Sequence, residues 1–535
     1  MAMLRTPTAL ENNESSVPGQ LPTDEKVETS RKENAGRLFL TDEEALAVAR
    51  GHHHDNEPIY VMFAPNDRDN PRNWGVARKY YITTFVSLLN VVTCLCVGST
   101  SSAGDSFTST FGSSDELNTG ALSTYILGFA LGPLILAPLS EYFGRNPVYI
   151  GSWFFLVIFQ IPVALAPNMA TVLVCRFIQG FGGSAPLTNT GGTISDLWTR
   201  DSSGFAMSIY GISSTIGPPL SLVVTGYLAW VKGFRILSWA LMGITGGFWI
   251  IMILTLPETR HTAILDRKVA RLNKMLTKEG ITREILDANV DSKHSLHNLF
   301  AINLTRPLRF LFTEPITFCA ALYNGFIFGV VFLFNEAMPL VFGKSHGFNV
   351  GEVGLTFGGI CLGSVIGGII YPLQERYYTR TVKANDGKSV PEARMWMARG
   401  GAIMIPISAL LKDKKDFLIL GDTWIVPVIA AVFFGLGIYI VILSFLSYVV
   451  DSYQTYSASS LAGVILVRNL VGAGFPLFST QMYEKLGNEW ASSLLAFLAL
   501  VLVPIPWIIF YKGEALRLRS PWAREHFGSD EDTPH

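Results

Sequence analysis

Charge is scarce in this sequence. Asp, Glu, Lys and Arg make up only 16% of its 535 residues, against roughly 25% in an ordinary soluble domain, which excludes a large water-facing surface. Neither sign is in excess, with 41 Lys and Arg against 42 Asp and Glu, and that balance argues against nucleic acid as a partner. Cysteine is sparse too. Cys94, Cys96, Cys175, Cys319 and Cys361 all fall in apolar stretches, so the sequence offers neither a disulfide framework nor a zinc cluster, and no metal or other cofactor is expected. No Ser-His-Asp set or pair of catalytic acids stands out, so no enzyme is expected. The first seventy or so residues lack the apolar core and cleavage site of a signal peptide. They read as a largely disordered tail, with His52, His53 and His54 as a solvated run rather than a metal site.

What is abundant is apolar. Hydrophobic residues reach 49%, mean hydropathy is +0.34, and many of the 49 Gly and 27 Pro sit inside apolar runs. Membrane helices tolerate such residues because neighbouring helices satisfy the freed backbone groups. Runs approaching the 20 or so residues that cross a bilayer occur at 80–101, 119–140, 147–166, 169–192, 204–230 and 235–256, then at 313–335, 351–374, 395–411, 424–449, 458–480 and 490–511. The spacing predicts an all-α polytopic membrane protein with twelve transmembrane helices in two six-helix bundles, residues 80–256 and 313–511. Between them, 257–312 reads as a linker. Its periodic Ile264, Leu265, Val269, Leu272 and Leu276 suggest an amphipathic helix at the membrane surface.

Basic residues cluster before span 1 and after spans 2, 4, 6, 8 and 12, which predicts a cytosolic location for the tail 1–79, the linker and the tail 512–535. Lys412, Asp413, Lys414, Lys415 and Asp416 after the short run 395–411 run against the pattern. A re-entrant 395–411 would leave fewer than twelve spans.

Polar groups inside the apolar runs are the candidate functional residues. In span 1, Asn90, Cys94, Gly98, Ser101 and Asp105 recur at helical spacing, so they share a face that could line an aqueous path; alternatively, Asp105 lies in the external loop. Arg176 sits deep in span 4, with Gln179 one turn on. A charge there must snorkel, pair or reach water, so Arg176 either reaches the headgroups or holds part of a coupling network. Arg468 and Asn469 pose the same question in span 11, and Glu336 is another ionisable candidate at the outer end of span 7. Span 5 combines Gly211, Gly217, Pro218, Pro219 and Gly226, which suggests a bent, closely packed helix. Tyr125, Gln160, Asn189, Tyr323 and Asn324 are cavity candidates whose other reading is interhelical packing. Between spans 2 and 3, Gly144 can supply a tight turn, and Glu141 and Arg145 bring opposed charges to the boundary.

These features together resemble the major facilitator superfamily, and within it the fungal drug:proton antiporter group with twelve spans. The resemblance covers about Pro65 to Lys512. It rests on Pro65-Asn66-Asp67 with Asn70-Pro71-Arg72-Asn73-Trp74, on Ala137-Pro138-Leu139-Ser140-Glu141-Tyr142-Phe143-Gly144-Arg145, and on Arg176-Phe177-Ile178-Gln179-Gly180. Gly217-Pro218, Pro257-Glu258-Thr259-Arg260 and Phe475-Pro476-Leu477-Phe478 continue it. The sequence departs from the group's pattern at Pro219-Leu220-Ser221, at Gly233-Phe234-Arg235 and at 412–416. The resemblance implies a gate at Glu141, Gly144 and Arg145, proton coupling near Arg176, and a span 5 hinge at Gly211, Gly217 and Pro218.

The function so implied is proton-coupled export of amphipathic or cationic small organic molecules, such as drugs, toxins or polyamines, by alternating access. The protein would act as a monomer in the plasma membrane or an internal one, with protons and the lipid bilayer as partners. Proton-coupled uptake and a nontransporting membrane sensor are the alternatives. Acids deep in the spans are few, which favours varied hydrophobic molecules over polyamines.

Overall fold

The computed structural model describes Leu46 and residues 59–63, 66–199, 202, 204–279, 285–287, 296–343, 347–411, 425–520 and 522–523. His52 to His54, Pro65 and the 412–416 cluster lie outside them. The chain divides into two units, Met1–Asp67 with Leu265–Ser292, and Arg68–Ile264 with Lys293–His535.

The larger unit is helical. Its first half contains α1 (Val76–Ser102), α2 (Gly104–Phe111), α3 (Asp115–Tyr142), α4 (Arg145–Ile158), α5 (Gln160–Ala164), α6 (Met169–Gly183), α7 (Ala185–Leu197) and α8 (Gly204–Thr255). After α9 (His261–Lys278), the second half contains α10 (Leu296–Thr313), α11 (Pro315–Met338), α12 (Val350–Thr356), α13 (Gly358–Ile370), α14 (Pro372–Ala384), α15 (Ala398–Leu411), α16 (Ile425–Tyr453), α17 (Ser457–Leu502) and α18 (Pro504–Arg519). Among the described residues, eight helices are long and apolar enough to cross a membrane. The chain is therefore a multi-pass integral membrane protein.

Two of those eight are far longer than a bilayer needs. The 52 residues of α8 would extend about 78 Å at 1.5 Å per residue, against a hydrocarbon core of about 30 Å. The run is interrupted at Gly233, whose φ of 70° and ψ of 178° are non-helical. Such a φ suits glycine because it has no Cβ to clash. Gly487 interrupts α17 in the same way, with φ 78° and ψ 163°. Around Pro218 and Pro219 the backbone keeps helical φ/ψ, and Gly233 marks the break between the runs 204–230 and 235–256. The run 169–192 is divided between α6 and α7, and α15 has only 14 residues.

The two halves meet along a seam in which glycines permit close approach. A Cβ on Gly226 of α8 would lie 3.1 Å from the Val350 carbonyl oxygen, and one on Gly354 would lie 2.4 Å from the Leu222 carbonyl oxygen. Gly211 faces Leu443 of α16, whereas Gly217 packs within the first half against Cys94.

The strands of the smaller unit were not visible in the sequence. Strand β1 (Ile59–Val61) pairs in parallel with β2 (Ile285–Asp287), Ile59 opposite Ile285 and Val61 opposite Asp287. Over them lies the amphipathic face of α9. Leu265, Leu272 and Leu276 are buried with Val61 and Ile285, and Val269, Phe63 and Leu46 pack alongside. Asn273 closes the arrangement, donating to the Ile285 carbonyl at 2.8 Å and accepting from its N–H at 2.8 Å. Lys268 donates to Asp67 at 2.6 Å. The expected amphipathic helix forms, but its apolar stripe is covered by protein rather than lipid. Part of the expected disordered tail supplies the cover.

Candidate functional site

The candidate residues fall into three groups along the helical body. Thr119 and Ser140 both lie on α3, 21 residues apart, which a helical rise of 1.5 Å per residue converts to about 30 Å. They mark opposite ends of the bundle.

At the Ser140 end, Gly144 turns the chain with φ 100° and ψ 164° and delivers Arg145 as the first residue of α4. The Arg145 side chain is buried. Its Nε donates to Asp196 Oδ2 at 3.2 Å and its Nη1 to Ser140 Oγ at 2.7 Å. The Arg145 backbone N–H donates to Glu258 Oε1 at 2.8 Å, and the same oxygen accepts from the N–H groups of Thr259 and Arg260, each at 3.0 Å. Arg260 approaches the other Asp196 oxygen at 3.7 Å and His261 Nδ1 at 3.9 Å. Burial would raise the Asp196 carboxyl pKa, but His261, Arg145 and Arg260 together hold it below its ordinary value. Asp196 lies beyond the expected end of span 4 at residue 192. Glu141 is half-buried and makes no hydrogen bond or ion pair among the described residues, so Asp196 and Glu258 are the acids bound to Arg145. Asn189, expected in a cavity, also belongs here, accepting from Ser140 Oγ at 3.0 Å.

A matching cluster stands in the second half. Arg394, in the turn before α15, donates from Nε to Asp451 at 2.7 Å and from Nη1 to Glu375 at 2.6 Å, over the Tyr378 ring at 3.5 Å. Burial would lower its pKa, but the Asp451 and Glu375 carboxylates more than offset this and hold it above the usual arginine value. Nearby, Arg517 grips Glu392 with two bonds, at 2.8 and 3.0 Å. In both halves, an arginine at the entry to the third long segment pairs with an aspartate near the end of the fourth. Sequence reasoning missed both aspartates. Neither has a local spacing signal, and only placing the halves side by side brings Arg145 with Asp196 and Arg394 with Asp451 into register.

At the opposite end, Glu336 of α11 links the halves. Ser101 Oγ of α1 donates to its Oε1 at 2.7 Å, and Thr119 Oγ1 of α3 to its Oε2 at 3.3 Å. Gln481 of α17 donates to Glu116 of α3 at 3.3 Å. Asp105 is exposed on the separate helix α2, away from the face that carries Asn90, Cys94 and Ser101.

Between the ends lie two buried guanidinium groups. Arg176 of α6 donates to the Val97 carbonyl at 2.9 Å, to Thr100 Oγ1 at 3.2 Å and to Gln179 Oε1 at 3.2 Å, and sits 4.3 Å over the Tyr125 ring. Gln160 donates to Cys96 Sγ at 3.4 Å. Arg468 of α17 sits 4.1 Å over the Phe328 ring, and the adjacent Asn469 reaches the Phe129 carbonyl at 3.5 Å. Neither arginine forms an ion pair among the described residues. Among the described residues, Asn90 has both polar side-chain atoms buried without a partner, and so has Asn324 its Oδ1. Tyr323 packs against Phe445 at 5.2 Å.

The profile of the Major Facilitator Superfamily matches residues 86–476, most of this helical body. The chain belongs to that superfamily. Its relatives include the MFS-type efflux pump MFS2 of Trichophyton rubrum, 35% identical over 88% of this chain and 78% of that protein. They also include the Major facilitator superfamily multidrug transporter mdrA of Aspergillus fumigatus, 33% identical over 88% and 76%. Among solved structures, the human organic anion transporter MFSD10 aligns over 81% of this chain and 100% of its own, with a TM-score of 0.52 at 16% identity. A peptide transporter in complex with sulfate aligns over 89% and 99%, with a TM-score of 0.57 at 12% identity. At such identities the solved structures speak for the fold alone. Membership in the superfamily makes this protein a membrane carrier rather than an enzyme.

Proposed function

We propose that this superfamily member is a proton-coupled antiporter that exports amphipathic organic molecules by alternating access. The observation that carries the reading is Glu336. It is an ionisable group held by hydroxyls from α1 and α3 across the seam between the halves. Its carboxylate can accept from both Ser101 and Thr119. Once protonated, it has less acceptor capacity and no charge for those bonds to stabilise, so proton binding loosens one end of the seam. The arginine clusters at the other end are the complementary gate, with Glu141, Gly144 and Arg145 on the first half. Export is favoured over uptake because relatives at 33 to 35% identity are named as efflux or multidrug carriers.

The twelve-span reading draws support from the same backbone. Dividing α8 at Gly233 and α17 at Gly487 turns two overlong helices into four spans, and α6 with α7, together with α15, supply the remaining pair. This reading has two six-span bundles, at 80–256 and 313–511, and the distribution of Lys and Arg supports a cytosolic linker and cytosolic tails. Gly211 and Gly226 on the first part of α8 are the close-packed surface on which the halves would rock, while Gly217, with Pro218 beside it, seats that helix against Cys94 of α1 within the first half. Arg176 holds the polar part of the first bundle in register and couples it to the proton site. A plasma-membrane monomer is the simplest arrangement.

The test is flux in proteoliposomes with an imposed pH gradient. Wild-type protein should concentrate an organic solute against its gradient when protons flow the opposite way. Glu336→Gln should still exchange solute but no longer accumulate it. Accumulation unchanged in Glu336→Gln removes the proton role of this residue, and co-directional movement of proton and solute replaces export with uptake.

A further inference from the structure

The middle of the seam holds a cation with no counter-charge among the described residues. Arg468 projects from α17 and is 2% exposed. Its guanidinium stacks on Phe328, and Cys94 of α1 and Tyr210 of α8 are its ionisable neighbours. Thiol and phenol are ordinarily uncharged at pH 7. No carboxylate lies within ion-pair distance among the described residues, and Nε has no hydrogen-bond partner. A buried guanidinium cannot relieve its burial by losing a proton, so it needs a partner. The donors decide what kind. The Phe328 ring lies 4.1 Å from the guanidinium carbon and supplies no acceptor, whereas the planar fork of N–H donors, its Nε unpartnered among the described residues, matches a carboxylate or similar oxyanion. One turn before Cys94 on α1, Asn90 is buried with both amide atoms unpartnered, adding a donor and an acceptor on the facing half. Phe332, one turn beyond Phe328 and packed against Gly472, extends an apolar wall.

We propose that Arg468 anchors the cargo, and that the cargo is an amphipathic organic anion whose carboxylate lies in the plane of the guanidinium and whose apolar body rests on Phe328 and Phe332. This narrows the substrate class within the transport reading above and rests on it. Arg176 adds a second buried positive charge, and Glu336 stands at one end of the seam rather than beside Arg468. A cationic cargo about 6 Å from a guanidinium at an effective dielectric near 20 is disfavoured by a factor of about a hundred, the reverse of what polyamine binding requires. Arginine retains its charge throughout the cycle, so selectivity for anions persists whether or not a proton is bound elsewhere.

Three probes that share one ring system isolate the charge: 2-naphthoate, 2-naphthamide and 2-naphthylmethylammonium. Binding to the purified full chain in detergent is read by thermal stabilisation and by tryptophan fluorescence. The carboxylate should bind about tenfold or more tighter than the amide, as a charge-assisted hydrogen-bond pair implies, and the ammonium should bind weakest. Arg468→Gln should erase that order, and Arg468→Lys should keep part of it, with melting of the unliganded variants as the folding control. The comparison of probes on wild type needs no variant. The proposal is overturned if the amide or ammonium binds as tightly as the carboxylate, if the carboxylate does not bind, or if folded Arg468→Gln keeps the preference. Flux separates the two readings. Gradient-driven movement of the ammonium without the carboxylate overturns the anion site and leaves transport standing. Charge-selective binding with no flux of naphthalene-2-sulfonate, a permanently ionised probe, upholds the site and removes the export reading.

Discussion

Gly144→Ala is the most sharply defined perturbation of the proposed gate. Gly144 has φ 100° and ψ 164°, a region that residues with a Cβ avoid at a cost of about 1–3 kcal/mol. The added methyl would also lie 2.3 Å from Glu258 Oε2 and 2.7 Å from its Cδ. That carboxylate is not a free end, because its Oε1 accepts from the backbone N–H groups of Arg145, Thr259 and Arg260. Moving it away sacrifices three hydrogen bonds at about 1 kcal/mol each. The sum is a loss of about 4–6 kcal/mol, measurable as unfolding free energy in mixed micelles. A double-mutant cycle separates the two parts. In a Glu258→Ala background the steric conflict vanishes, so Gly144→Ala should then lose only the backbone part, leaving a coupling of about 3 kcal/mol. Equal losses in both backgrounds would refute the steric argument, and a Gly144→Ala protein as stable as its parent would refute the whole construction.

Other consequences are simpler to state. The Asp196 carboxyl is held below its ordinary pKa, so its contribution is fully present above the unfolded value near 3.9 and is lost only as pH falls through the lower folded value. The difference in melting temperature between wild type and Asp196→Asn should therefore not shrink as pH falls from 8 to 6, and a difference that shrinks across that window contradicts the assignment. Glu141→Gln, at a side chain with no bonded partner here, should leave melting within about 0.5 kcal/mol of wild type yet shift spin-label distances between the halves; unchanged distances count against a gating role. Asn273→Ala removes both side-chain bonds to Ile285 and should weaken the small unit by about 1–3 kcal/mol, seen as faster amide exchange at residues 59–61 and 285–287. Exchange at wild-type rates would mean the strands hold without it.

The helical runs were legible because a bilayer imposes a length and a polarity on every segment that crosses it. Gly144 and Arg145 were legible because a tight turn and its charge lie adjacent in the chain. Asp196 and Asp451 were not, since they lie 51 and 57 residues from the arginines they bind, and no local pattern encodes such a pairing. Glu258 was visible as part of a motif, but its work is done on backbone N–H groups, which leave no mark in side-chain spacing. Glycine count alone did not reveal which glycines of α8 face the partner half. Gly211 and Gly226 do, and Gly217 does not. The strands β1 and β2 escaped notice for a further reason: three residues are too few for an alternating pattern to rise above chance.

Those strands also impose an order of events during synthesis. Lys268 is made 201 residues after the Asp67 that it grips, and the six apolar runs of the first half are translated in between. Ile59 and its partner Ile285 are separated further still, so at 5–20 residues per second the early strand waits roughly 11–45 seconds for its mate. The pair can therefore form only once both strands have been made. A ribosome stalled, or a chain cut, before residue 285 leaves the leading segment without its parallel neighbour and open to the quality-control machinery.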